Sequence, residues 1–166
     1  MRRWPLRHVW ISSALLGVVC AVAIIAVQVS VALALPGSEP AFRAGEATAP
    51  PDKAFVTVVR ELVSSAVLVP WLETLLLFYL PHLAFRRLKG PAAAALFTAL
   101  MAAIGWGLHG SDVYAIGHGL DFGMLGLWFW TVWATRDARR AILATTLAHS
   151  VWNGLLILAW VLWGRT

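Results

Sequence analysis

Residues 9–35 read VWISSALLGVVCAVAIIAVQVSVALAL, an unbroken apolar run without one charged side chain. At about 1.5 Å of rise per helical residue, such a run is longer than the ~30 Å hydrocarbon layer of a bilayer. A water-facing helix would alternate an apolar stripe with a polar face, and this stretch has no polar face. Four further apolar blocks follow at about 55–85, 91–109, 117–134 and 141–163, each near or above the roughly 20 residues a spanning helix needs. The expected fold is therefore all-α, a polytopic transmembrane helix bundle of about five spans.

The composition agrees. Of the 166 residues 60% are hydrophobic and only 13% charged, with a mean hydropathy of +0.77. Those values exclude a soluble globular domain, a disordered chain, a coiled coil and collagen. The net charge of +5 would point to nucleic acid in a soluble protein, but the basic residues here sit in short clusters between apolar blocks. Membrane topology explains them, and no nucleic-acid partner is expected. Cys20 is the single cysteine, so an intrachain disulfide or a thiolate metal cluster is ruled out.

Arg2/Arg3/Arg7, Arg86/Arg87/Lys89 and Arg136/Arg139/Arg140 fall at alternate ends of the spans, which puts nine of the thirteen basic residues on one side. By the positive-inside rule that side, with the N-terminus, is cytoplasmic. The first span exceeds a signal-peptide core, although Ala32-Leu33-Ala34 mimics a cleavage site. The chain divides into an N-terminal transmembrane anchor at 1–35, an external loop rich in Pro, Gly, Ala and acids at 36–53, and a four-helix core at 54–166. Seven of the ten tryptophans, Trp4, Trp10, Trp128, Trp130, Trp133, Trp160 and Trp163, lie near span ends, where indole anchors at headgroups. Gly119, Gly123 and Gly126 have the small-residue spacing that lets helix backbones approach.

Against this background the intramembrane polar residues need a reason. Glu73 stands in Leu72-Glu73-Thr74-Leu75-Leu76-Leu77, where an ionisable group costs about 2.5–3.5 kcal/mol on insertion scales. His149 and Asn153, four apart, share one face of the fifth span. They either support chemistry or make an interhelical hydrogen bond. His109 ends the third span in Gly105-Trp106-Gly107-Leu108-His109-Gly110. His118 and Asp121, at three-residue spacing, form a weaker alternative ligand pair, and His8 and His82 read as headgroup neighbours. One glutamate, two histidines and one asparagine on three helices are the set that hydrolysis needs: a base for water and donors for the developing oxyanion. No HExxH, GxSxG elbow or phosphate-binding loop is present.

Over residues 55–160 the order of these motifs resembles the CAAX protease and bacteriocin-processing (abortive-infection) family of intramembrane proteases. That family carries Glu-Glu-x-x-x-Arg, then Phe-x-x-x-His, then His-x-x-x-Asn on successive helices. Glu73 matches the first glutamate, His109 the histidine of the second motif, and His149 with Asn153 the whole third motif. The run from Gly123 through Trp130 and Arg139 to His149 is similar to the family's glycine-bearing helix, basic turn and approach to the histidine. Three positions depart: Thr74 replaces the second glutamate, Phe78 the arginine and Gly105 the phenylalanine. Joint loss of the Glu and Arg strands no buried charge if the two normally pair.

The resemblance implies a hydrolase, an endopeptidase cutting a membrane-associated protein or peptide in the bilayer, with the chain integral to a bacterial inner (plasma) membrane. Glu73 would take the proton from water, His109 would position it, and His149 with Asn153 would stabilise the oxyanion. No cofactor is expected, and a divalent metal such as zinc stays open, since two histidines and a glutamate must also provide the base. The rival reading is a non-catalytic pseudoprotease that binds a partner helix; a proton-coupled carrier fits less well because no internal repeat is visible. One tension is geometric: Glu73 lies ~20 Å along its helix from Arg86 and His149 ~12 Å from Ala141, but His109 ~27 Å from Pro91. Either the third helix begins outside the bilayer or tilts, or His118 takes the place of His109.

Overall fold

The computed structural model describes residues 5–35 and 55–163, and these form five helices without a strand among the described residues. They are α1 (Leu6–Ala34), α2 (Phe55–Phe85), α3 (Pro91–Leu108), α4 (Ile116–Thr135) and α5 (Ala138–Trp163). The expected loop at 36–53, together with Arg2, Arg3, Trp4 and Arg165, lies outside the described residues. Proline at the first turn of α3 follows Gly90 at φ 88°, a stop-and-restart that ends the basic turn after α2. Asp137 starts α5: its Oδ1 accepts the Arg140 backbone N–H at 2.8 Å, and its Oδ2 meets Arg140 Nη1 at 2.7 Å.

Four of the five helices, α1, α2, α3 and α5, are long and apolar enough to cross a membrane. The fourth, α4, is 20 residues long but carries Gly117, His118, Gly119 and Asp121 in its first two turns. It is also the helix with the largest share of buried positions, among them Phe122, Leu125 and Phe129. A helix covered by its neighbours need not be apolar all round, because little of it faces lipid.

Packing explains the small residues. Between apolar helices in lipid there is little hydrophobic gain, so close backbone approach and dispersion hold the bundle. Gly119, Gly123 and Gly126 face α3, where a Cβ on Gly126 would come within 2.7 Å of Met101 Cγ and one on Gly119 within 3.1 Å of the Ala102 carbonyl. On the opposite side α1 packs along α4 and α5 and sends Cys20, Ala21 and Ile24 into the common core. Gly17 sits directly against the backbone of Ala148 and the side chain of Val151, leaving no room for a Cβ. The first helix is thus part of the bundle, pressed against the back of the turn that carries His149.

Two expectations about aromatic and imidazole side chains change. Trp130, expected at a headgroup, is 7% exposed, and His82 is 1% exposed within a box of Phe97, Phe129, Trp130 and Trp133. The His82 and Trp133 rings are 4.1 Å apart. Both residues lie near span ends by count, but the ends of α2 and α4 pack on each other and exclude them from the surface.

The helix α2 is not regular. Two π-helical segments, Ser64–Leu68 and Thr74–Tyr79, interrupt it, and each is followed after one residue by a proline, Pro70 or Pro81. Proline lacks the backbone N–H and crowds the preceding turn, and a widened turn relieves that crowding without breaking the helix. Between the two widened segments lies the short α-helical stretch Val69–Glu73, which ends on the glutamate.

Candidate active site

The glutamate of α2 and the histidine of α5 meet: Glu73 Oε2 is 3.5 Å from His149 Nε2. Glu73 keeps 28% of its side chain accessible, whereas His149 is 2% exposed. The His149 ring stacks on Trp152 at 4.8 Å, one turn away on its own helix, which fixes its plane. Its Nδ1 is buried without a hydrogen-bond partner among the described residues. Asn153 is committed elsewhere: its Nδ2 donates to the Ser65 carbonyl of α2 at 2.7 Å.

His109 reaches the same region from the other side. It caps α3, and its Nδ1 donates to the Gly105 carbonyl at 2.8 Å, so Nε2 is the nitrogen left as acceptor. A compact turn holds it there: Trp106 Nε1 donates to the Asp112 carbonyl at 2.9 Å, and Asp112 Oδ1 accepts the Ala115 N–H at 2.8 Å. The turn lays His109 flat on His118 of α4, rings 3.9 Å apart and 7° from parallel. His118 in turn lies 5.9 Å from Trp152.

Phe122 is the hub. Its ring centroid is 5.7 Å from His109, 5.7 Å from His149, 6.1 Å from Trp152 and 5.5 Å from Phe78. The structure therefore brings Glu73 and His149 into direct contact and draws His109 and His118 to the same phenyl ring. Among the described residues no hydrogen bond or ion pair joins His109 to Glu73 or His149. His109 comes close to the pair despite its longer run along α3, because it lies at the end of that helix on His118 of the first turn of α4, and His118 lies near Trp152. His109 and His118 are partners in one stack, not alternatives. Asp121 is fully buried, and neither of its carboxyl oxygens has a hydrogen-bond partner among the described residues, so no bond ties it to His118.

The three departures from the protease motifs are all inside this region. Thr74 and Phe78 are fully buried, and Phe78 stacks with Phe122. A Cβ on Gly105 would lie 2.5 Å from Phe122 Cβ and 2.8 Å from the His118 carbonyl. The volume a phenylalanine at 105 would need is taken by Phe122 from α4. Thr145 and Thr146, about one turn before His149, have no hydrogen-bond partner for their hydroxyls among the described residues. Trp71 and Trp106, near Glu73 and His109 in sequence, are about half exposed, whereas Trp152 is buried against His149.

Among the described residues no group of three or more imidazole, thiol or carboxyl side chains converges closely enough to hold a metal ion. Sequence reasoning passed over Phe122 and Pro70, and it placed His82 at the headgroups. The two prolines inside an apolar span were the available signal for an irregular helix beside Glu73. Nothing in a lone phenylalanine marks it as the ring that three site residues share. Comparison with protein-family models, with curated proteins and with solved structures finds no match to this chain.

Proposed function

We propose that the chain is an intramembrane endopeptidase of the CAAX-protease type, acting on a membrane-associated polypeptide in a bacterial plasma membrane. The observation that carries this reading is the Glu73–His149 pair, a partly accessible carboxylate beside a buried, stacked imidazole. Glu73 accepts a proton from water as the oxygen adds to the peptide carbonyl carbon. The C–N bond then breaks, and the proton returns from Glu73 to the departing amine. His149 orients the water and balances the developing charge, while His109, tied through Nδ1, offers Nε2 toward the same space. The basic ends of the spans, Arg7, Arg86, Arg87, Lys89, Arg136, Arg139 and Arg140, face the cytoplasm by the positive-inside rule.

The test compares the membrane-protein termini of cells carrying the wild-type chain with those carrying Glu73→Gln at equal abundance. Termini that vanish only in the variant support hydrolysis. Identical termini in both sink it. A second reading, a non-catalytic chain that binds a partner helix, is favoured by Phe78 and Phe122 filling the space beside the pair. In that case Glu73→Gln leaves the termini unchanged and partner capture intact.

A further inference from the structure

We propose that Asn153 and Pro70 form one positioning device: the Asn153 carboxamide replaces the backbone donor that Pro70 removes from α2, and so sets the register of Glu73 against His149. In the first widened segment the Val69 N–H bonds to the Ser64 carbonyl, five residues back. The next donor in that register would serve the Ser65 carbonyl, and residue 70 is a proline with no N–H to give. A carbonyl orphaned at membrane depth has no water to turn to, so it must find a donor in the protein. Asn153 Nδ2, on α5, donates to it at 2.7 Å.

The consequence is mechanical. The helices run antiparallel here: Asn153 meets Ser65, and His149, one turn earlier on α5, meets Glu73, further along α2. The clamp at one level holds α2 against α5, and the pair at the next level inherits that alignment. Asn153 is therefore a positioning residue, with one of its two amide hydrogens already engaged in a backbone bond. This assignment goes beyond the hydrolytic reading and stands without it.

Asn153 is the sole asparagine in the chain, so labelling the full-length protein with 15N-asparagine gives one side-chain amide. In a detergent micelle or nanodisc, one Nδ2 proton is expected to exchange with water roughly tenfold more slowly than a free amide. Free exchange of both protons overturns the proposal, and this measurement needs no variant. A double-mutant cycle then examines the pairing. Asn153→Ala is expected to lower the unfolding midpoint by roughly 5 °C in the wild-type background and to cost little in Pro70→Ala, which restores a backbone donor. An equal cost in both backgrounds overturns it. If processing is found as proposed above, Pro70→Ala restores it to Asn153→Ala, whereas loss of an oxyanion donor is not restored. If processing is absent altogether, the amide exchange and the unfolding cycle still decide.

Discussion

The Nε2 of His149 lies 3.5 Å from Oε2 of Glu73, joining two residues that are 76 positions apart in sequence and stand on antiparallel helices. Neither side chain belongs at that depth on its own, and each reduces the cost of the other, since both gain a polar neighbour. The pair is surrounded by Trp152, Phe122 and Phe78, which keep lipid and bulk water from most of its surface.

Removing the proposed base is the first expectation. Glu73→Gln keeps the shape and loses proton acceptance, so processing is expected to fall by roughly 10²–10⁴-fold. The unfolding midpoint is expected to stay within a few degrees of the wild type. Quantitative mass spectrometry of membrane-protein termini and a thermal unfolding curve check the two halves separately.

The imidazole of His149 separates chemistry from packing. His149→Phe preserves a ring against Trp152 and removes both nitrogens, whereas His149→Ala also leaves a cavity. The Phe variant is expected to lose processing while remaining folded, and the Ala variant to lose about 2–4 kcal/mol of stability in addition. Equal activity of His149→Phe and wild type would falsify a chemical role for the ring.

Gly105 and Phe122 are expected to be coupled. Gly105→Ala drives a Cβ into the Phe122 side chain and is expected to cost about 1–3 kcal/mol. Phe122→Gly in the same chain removes both the Cβ and the Cγ that the new methyl would meet and leaves only the His118 carbonyl close by, so the double variant should be more stable than the sum of the two single changes. Unfolding midpoints of the four chains measure that coupling.

Gly17→Leu examines whether α1 belongs to the bundle. The new side chain meets the Ala148 backbone and Val151 with no space to turn, so α1 is expected to separate from α5. Proteolysis or cysteine accessibility at Cys20, fully buried in the intact bundle, should rise sharply. Unaltered Cys20 protection would show that the helices adjust without separating.

His82 makes the opposite kind of prediction. Both of its ring nitrogens are buried without hydrogen-bond partners among the described residues, inside an aromatic box. Unpartnered polar atoms are costly, and His82→Phe fills the same volume without them. The variant is expected to be neutral or more stable by about 1 kcal/mol. A drop of several degrees in the unfolding midpoint would mean that the ring nitrogens find partners in the membrane-embedded protein.

The helices were legible because their physical cause is local. Uncharged runs such as 9–35 can only be satisfied by helices in lipid, and Gly119, Gly123 and Gly126 announce a close neighbour by their size alone. Glu73, His109, His149 and Asn153 were visible for a related reason, since polar groups are few in an apolar span and their cost makes each one conspicuous.

What they do to one another was decided by packing between helices. Residue counting along α2 and α3 could not tell that His109 would lie on His118, because the turn that brings them together depends on Trp106 and Asp112. Nor could it tell that Asn153 would spend an amide hydrogen on Ser65, because that bond exists only where a proline on another helix has orphaned a carbonyl. His82 and Trp130 changed from surface anchors to core for the same reason. The sequence by itself determined the class of fold, the number of helices and the inventory of polar groups, all consequences of how single segments meet lipid. Partner choice among those groups was left to the tertiary structure, because it depends on which helix faces cover one another.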